Sequence, residues 1–426
     1  MVQLGRAKVF RDPVHDTIDW RAEGDVGRLI CTLIDQPEVQ RLRFVQQLGM
    51  ASRVYGGAEH SRFVHSLGVA HVARRMLARV EPNASDDVRA TVLCAALLHD
   101  VGHGPFSHVF ERVFDFHHED YSRAVIESPR SGVHQVLRLV DASLPERVVE
   151  LIAGGGAPKY NQIVSSQLDA DRFDYLLRDS MMTGVVVGRY DLERILLLLR
   201  SDDKGLLVDE RGWESVEGYL IARYHMYRLV YFHRTVRAME TMLECLFRRA
   251  RKVVPGNDPS LREYPLLRKL LSAQRLDPEE WMRLREYNAL GLMDRWQEHE
   301  DRILQVLARG FMERRVMRTV DRVLENDDDR AQEERLLQRL EDGLSPDERD
   351  LFSLDEASHS TYQPYIARRQ TGGQPIRVLA RSGRVELIEQ LSPVVRALGQ
   401  TATRLRRWHV HPLIVEKVRF LTGVDI

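Results

Sequence analysis

The chain of 426 residues reads as mainly α-helical. Apolar residues recur at three- and four-residue spacing along most of its length, the mark of helices with one buried face. Strand-type alternation is confined to two short stretches. No apolar run approaches the roughly 18 residues of a membrane span, so a globular chain that stays out of membranes is expected.

The opening "MVQLGRAKVFRDPVHD" is broken by Arg6, Lys8, Arg11 and Asp12 and lacks the apolar centre of a signal peptide. Helical spacing follows in "DVGRLICTLI" and "VARRMLARV", and "VLCAALLHDVGHGPF" predicts a buried helix ending near Gly102–Pro105. The stretch "IAGGGAPKYN" (152–161) predicts a loop, "DLERILLLLR" a helix and "GLLVDE" near 205 a strand. Residues 216–254 predict one long helix, closed by the loop "VPGNDPS" (254–260). Charge density rises past 250, where "ENDDDRAQEERLLQRLEDG" and "SPDERD" read as solvated helix faces. Alternation in "PIRVLARSGRVELIEQL" (375–391) predicts a small antiparallel hairpin turning at "SGR", and "ATRLRRWHV" reads as a packed or solvated helix. No internal repeat is visible, and the change near 250 divides the chain into residues 1–250 and 251–426.

Lys and Arg number 62 against 63 Asp and Glu, a balance that gives no support for a strongly basic nucleic-acid binder but leaves room for a local basic pocket. Cys31, Cys94 and Cys245 have no paired spacing, which argues against a disulfide framework or a cysteine zinc site and for a reducing cytoplasm.

The chemistry concentrates in "LLHDVGHGPFSHVFER" (97–112), which carries His99, Asp100, His103 and His108. Imidazole with carboxylate suits a first-row divalent ion. The plain alternative is two core histidines and a helix-end aspartate. Burying several titratable groups with no charge to organise them is costly, which favours a site. "SRFVHSLGVAHVARR" adds His65 and His71 on another helix, and "SSQLDADRFDYLLRDS" adds Asp169, Asp171, Asp174 and Asp179. Asp171, Tyr175 and Asp179 fall on one helical stripe, leaving Phe173, Leu176 and Leu177 for the core. That stripe is either a metal, sugar or base contact or an exposed face. Arg223, Tyr227 and Tyr231 repeat the spacing, as a phosphate and base contact or as core packing.

Taken together, these segments resemble the HD-domain phosphohydrolase superfamily. Within it they are similar to the deoxynucleoside triphosphate (dNTP) triphosphohydrolases related to the vertebrate sterile-alpha-motif/HD protein and its bacterial relatives. The segments "KVFRDPVHDTI", "QRLRFVQQLG", "RFVHSLGVAH", "LLHDVGHGPFSH", "HHED" and "DADRFDYLLRD" occur in the family's order between about Lys8 and Arg249. The resemblance implies an HD-domain helical core over 1–250 and a C-terminal, mainly helical lobe carrying the hairpin.

It further implies metal ligands at His65, His99, Asp100 and Asp171 for a divalent ion (Mn, Fe, Ni, Zn or Mg). His118 would act at the phosphate, supported by Glu119, with His103 and His108 in the same pocket. Arg62, Arg172 and Arg223 would face the triphosphate. Gln47 and Leu48 would border the sugar, Asp179 would reach the 3′-hydroxyl, and Tyr175 and Tyr231 would pack on sugar and base. Phe232 stands where a glutamine can contact the base. The implied reaction releases a deoxynucleoside and inorganic triphosphate, with His118 protonating the leaving 5′-oxygen. The implied assembly is a homo-oligomer, dimer or tetramer, switched on by GTP or dGTP between subunits. Lys8, Asp35, Gln40, Arg43, Val54 and Tyr55 match that allosteric nucleotide site. The alternative at these positions is a surface ion pair with Asp35 as a helix N-cap.

Two rival functions are another HD phosphohydrolase, acting on a monophosphate, a cyclic nucleotide or an alarmone, and a nucleotide sensor without turnover. Gln47, Tyr175 and Asp179 favour the triphosphohydrolase over the first. The complete His65, His99, Asp100 and Asp171 set argues against the second.

Overall fold

The structure, a computed structural model, describes residues 4–324, 326–359, 374–400 and 403–426. Residues 1–3, at the head of the N-terminal stretch, and Glu325, the first residue of the acidic stretch, lie outside them. The chain is mainly α. It opens on a hairpin, β1 (Val9–Asp12) and β2 (Asp16–Asp19), in which Phe10 pairs with Ile18 and the turn is closed by Asp16 at φ +56°. Helices α1 (Gly24–Ile34) and α2 (Pro37–Gln40) follow.

The centre is α3 (Arg62–Val80), packed against α4 (Asp86–Leu98) and α10 (Ala170–Thr183). Alanines and Gly68 let neighbours approach α3 from every side, so it is buried over most of its circumference. Ser85 caps α4 by accepting from the Val88 N–H at 3.3 Å, with Asp86 and Asp87 in the positive first turn. Between α4 and α10 run α5 (His108–Phe114), α6 (His118–Glu127), α7 (Gly132–Val140), α8 (Leu144–Ile152) and α9 (Pro158–Val164). The loop predicted over 152–161 is therefore shorter, because Pro158 opens α9 as a first-turn residue.

After α11 (Leu192–Leu198), the strands β3 (Leu199–Asp202) and β4 (Gly205–Asp209) pair antiparallel. The long helix predicted over 216–254 is broken. It consists of α12 (Trp213–Met226), a π-turn over Tyr227–Tyr231, and α13 (Arg234–Val253). Wide turns of this kind gather at functional sites.

Beyond α13 lie α14 (Pro265–Leu271), α15 (Pro278–Trp281), α16 (Glu286–Trp296) and α17 (Arg302–Met312). Then come β5 (Arg318–Val323), α18 (Asp327–Gly343) and β6 (Phe352–His359). The predicted hairpin is present as β7 (Arg377–Leu379) and β8 (Val385–Leu387), and β7 joins β4 in parallel to complete a four-stranded sheet.

Ala402 of "ATRLRRWHV" lies outside the described residues, and the rest of the stretch is not a helix. Residues 403–410 form β9 (Thr403–Val410), the central strand between β5 and β6, with Trp408 facing Val320 and Leu354. Two of its buried polar side chains are paired: Arg407 Nε donates to Asp321 at 2.8 Å, and the Trp408 indole donates to Glu333 at 2.7 Å. Among the described residues no helix is long and apolar enough to cross a membrane.

Candidate active site

Three helices converge on one point. α3 brings His65, the end of α4 brings His99 and Asp100, and the first turn of α10 brings Asp171. The His65 and His99 rings stand edge to face, centroids 5.5 Å apart. His65 Nε2 lies 3.1 Å from Asp171 Oδ1, without hydrogen-bond alignment, and 3.7 Å from Asp100 Oδ2. His99 Nε2 lies 3.4 Å from Asp100 Oδ1 and 3.6 Å from Asp171 Oδ1.

The far side of each ring is fixed. His65 Nδ1 is 2.8 Å from Asp174 Oδ2, and His99 Nδ1 is 2.9 Å from the Ala96 carbonyl. Those acceptors fix the proton on Nδ1 and aim the Nε2 lone pairs inward, where both atoms are buried without a hydrogen-bond partner. His65 Nε2, His99 Nε2 and an Asp100 oxygen lie close enough to one another to hold one divalent cation, with Asp171 beside them near His65.

The electrostatics agree. Burial opposes charge on His65, yet Asp171 and Asp174 override it and raise its pKa to about 10. Burial likewise opposes ionisation of Asp100, but His99, Arg62 and His103 outweigh it and hold the carboxyl well below the usual range. The site thus attracts positive charge, whether proton or metal.

Asp174 is itself anchored. His15 Nε2 sits 2.7 Å from its Oδ1, and Arg178 donates to both of its oxygens at 2.8 and 2.9 Å. Asp12 accepts from Arg178 at 2.9 Å. His71, on the same helix as His65, lies outside the cluster against His15.

A second group adjoins the first. α4 ends at Leu98 rather than near Gly102–Pro105, so His103 does not share its helical face with His99. A loop delivers it instead. Gly102 is pressed against α6, where a Cβ would overlap Ser122 N and the His118 carbonyl. His103 Nε2 reaches Asp100 Oδ1 at 3.3 Å, and its ring stacks on His118 with centroids 3.6 Å apart. Burial, with Arg62 and His118 beside it, keeps His103 neutral, its pKa well below the ordinary value.

The carboxylate that reaches His118 is Glu111, not Glu119. Glu111 Oε1 is 2.8 Å from His118 Nδ1, and Oε2 is 3.3 Å from Nδ1 of the exposed His108. Glu119, exposed in the first turn of α6, lines the cavity beside His118. Burial would raise the Glu111 pKa, but His108 and His118 pull it well below the carboxylate range.

Both groups open into one cavity of about 460 Å³, which Gln47, Leu48, Arg172, Tyr175, Asp179, Tyr231 and Phe232 also line. Asp179 accepts from Tyr231 Oη at 2.8 Å and pairs with His60 Nε2 at 2.8 Å. Arg62 forms an ion pair with Asp100 and donates to Ser107 Oγ at 3.0 Å. Arg172 pairs with Asp169 and donates to the Ser166 carbonyl at 2.5 Å. Arg223 donates to Gln167 at 2.8 Å and lies 5.7 Å above the Tyr227 ring.

The residues matched to an allosteric site lie elsewhere. Lys8 Nζ binds Asp35 Oδ1 at 2.6 Å, both half exposed, and Asp35 stands at the C-terminal end of α1, not at a helix N-cap. Arg43 Nε donates to Gln40 at 2.8 Å and covers the Phe63 ring at 3.6 Å, while Tyr55 donates to the Leu229 carbonyl beyond Val54. Sequence reasoning missed Glu111 and His60. Glu111 stood in the quoted histidine segment, three residues after His108, and that spacing was the available signal.

Comparison with known proteins agrees with this geometry. The HD domain matches residues 62–179 and the HD associated region residues 190–264. The uncharacterized protein YwfO of Bacillus subtilis is 36% identical over 99% of this chain and 98% of its own length. The deoxynucleoside triphosphate triphosphohydrolase SAMHD1 of Xenopus laevis is 29% identical over 57% of this chain, and its homolog in Dictyostelium discoideum 30% over 59%. The chain spans about half the length of those two relatives: 45% and 51%. Among solved structures, a phosphohydrolase from Bacteroides thetaiotaomicron superposes with TM-score 0.72 at 25% identity, covering 95% of this chain and 99% of its own. A hypothetical protein from Aquifex aeolicus does so with TM-score 0.75 at 28% identity, covering 97% and 99%.

Proposed function

The chain belongs to the HD-domain family, with the HD-associated region following its HD domain, and from that premise we propose that it hydrolyses dNTPs to deoxynucleoside and inorganic triphosphate. One observation carries the reading: His99, Asp100 and Asp171, with the buried His65 behind them, line the same cavity as Gln47, Tyr175, Asp179 and Tyr231.

His65, His99, Asp100 and Asp171 would hold a divalent ion (Mn, Fe, Ni, Zn or Mg). Bound there, the ion supplies positive charge and Lewis acidity toward the phosphate. The chain's own residues do the rest. Arg62 and Arg172, which line the cavity, would meet the triphosphate and offset part of its charge, with Arg223 held behind them on Gln167. Asp179 keeps acceptor capacity for a 3′-hydroxyl beside its bonds to Tyr231 and His60. Tyr175 and Tyr231 flank the sugar and base, and Leu48 with Gln47 closes the 2′ side. Glu111 holds His118 Nδ1, so His118 Nε2 is the atom that gives a proton to the departing 5′-oxygen, next to His103 and His108. Glu119, which lines the same cavity, would support this step from beside His118.

Residues 1–250 form the catalytic core in this reading, residues 251–426 a supporting lobe, and the protein works in the cytoplasm as a dimer or tetramer. GTP or dGTP would bind between subunits at Lys8, Asp35, Gln40, Arg43, Val54 and Tyr55, displacing the Lys8–Asp35 pair. The test is to incubate the protein with each dNTP and Mn²⁺ or Mg²⁺, with and without GTP or dGTP, and resolve the products. Deoxynucleoside plus triphosphate supports the proposal. A monophosphate plus pyrophosphate, or no turnover under any condition, refutes it.

A further inference from the structure

The segment between Trp281 and Glu286 lies outside the matched HD and HD-associated regions, yet it grips the histidine loop at three points. The Trp281 indole donates to the Gly102 carbonyl at 2.8 Å. The buried Arg41 donates to the Leu284 carbonyl at 3.0 Å and to those of Val101 and His103 at 2.9 and 2.6 Å. Glu286, 7% exposed, opens α16 and accepts through one oxygen, Oε1, from two backbone amides: Gln46 N at 2.8 Å and Phe106 N at 3.1 Å.

Those amides belong to different loops. One leads into Gln47 and Leu48, the other into Ser107 and His108. The loops are also tied to each other, since the Ser107 hydroxyl donates to the Gln46 carbonyl at 2.9 Å. Phe106 and Ser107 hold φ of +55° and +52°, a backbone that non-glycine residues keep only where their surroundings enforce it.

We propose that Glu286 is a positioning residue that holds the sugar-side loop and the histidine loop in register across the active site. Its catalytic consequence rests on the dNTP hydrolysis proposed above, whereas the register itself does not. Glu286→Gln keeps an acceptor oxygen. Glu286→Ala leaves two buried N–H groups unpaired, and Glu286→Asp draws the carboxylate back by one methylene.

The experiment compares these variants in the full chain by hydrogen exchange of peptides over 44–49 and 104–109, by kcat and KM for dNTPs, and by metal affinity in chelator competition. Glu286→Ala is expected to speed exchange in both loops and to lower kcat on the order of 10²-fold, as small misplacements of reacting groups do. Metal affinity should hold, and Glu286→Gln should restore both loops and kcat. If Glu286→Ala does not fold, Glu286→Asp carries the same comparison. The inference is overturned if the loops and kcat ignore the loss of the carboxylate, or if Glu286→Gln is as impaired as Glu286→Ala. A wild type inactive on every dNTP, with the exchange result intact, would instead overturn the substrate assignment alone.

Discussion

Gly68 offers a sharp test of how the metal-type centre is supported. It sits in the middle of α3, three residues after His65. A Cβ there would overlap Asp174 Oδ1 and stand 2.5 Å from Arg178 Nη2. In an ordinary helix interior, Gly→Ala stabilises by about 1 kcal/mol. Here the obstructed atom cannot yield, because Asp174 Oδ1 already bonds His15 and Arg178 while Oδ2 bonds His65 and Arg178. Overpacking costs about 1–3 kcal/mol. Breaking one buried hydrogen bond to a charged group costs about 1.5–3 kcal/mol more. After the helix gain, Gly68→Ala should lose about 1.5–5 kcal/mol in urea unfolding. Because Asp174 orients His65, metal affinity in chelator competition should also fall, by about 10–100-fold. A Gly68→Ala protein as stable as wild type and binding metal as tightly would refute the reasoning.

Three further outcomes are expected. Glu111→Gln should lower kcat on the order of 10²-fold, since it removes the charge behind His118, and Glu119→Gln should cost less; equal losses would return the supporting role to Glu119. Replacing His99 and Asp100 together with Ala should abolish both turnover and stoichiometric metal binding, and turnover retained in that double variant would rule out the ligand assignment. Burial lowers the His411 pKa to about 4, below the roughly 6.5 of an unfolded chain, so the folded state resists protonation and this contribution to stability is lost as pH falls from 6.5 toward 4. Relative to wild type, His411→Asn should therefore gain about 2 kcal/mol in unfolding free energy between pH 7.5 and pH 5, and a constant difference across that range would contradict it.

Local signals were legible and distant ones were not. The helices of residues 24–98 and 170–183 show their periods openly, and the His99–Asp100 pair declares itself because titratable groups among alanines, leucines and glycines are out of place in a plain core. The break at Phe232–His233 was hidden, since neither Gly nor Pro marks it and apolar spacing runs through the π-turn. β9 was hidden for another reason: Arg407 and His409 look like solvent-facing residues but are buried, Arg407 against Asp321 and His409 facing Asp355 at 3.7 Å. A strand buried on both faces loses the alternation that would identify it. Glu286 lies 240 positions from the Gln46 amide it binds, a separation at which no spacing rule operates.

The charges around the cavity explain why metal and substrate should depend on each other. Asp100 and Asp171 are both held ionised, and the one arginine or lysine in ion-pair contact with them among the described residues is Arg62, on Asp100. Arg172 is committed to Asp169, and Glu111 to His118 and His108. Without metal the two carboxylates are offset by Arg62 and by a proton on His65, whose pKa is raised to about 10, so little positive charge is left over for an approaching triphosphate. A divalent charge at the centre displaces that proton and leaves the floor net positive, and at short range in a buried site this gain outweighs what one more paired arginine could contribute. Stripping the metal should accordingly weaken dNTP binding itself and not turnover alone; equal dNTP affinity with and without chelator, measured by calorimetry, would show that the arginines already suffice.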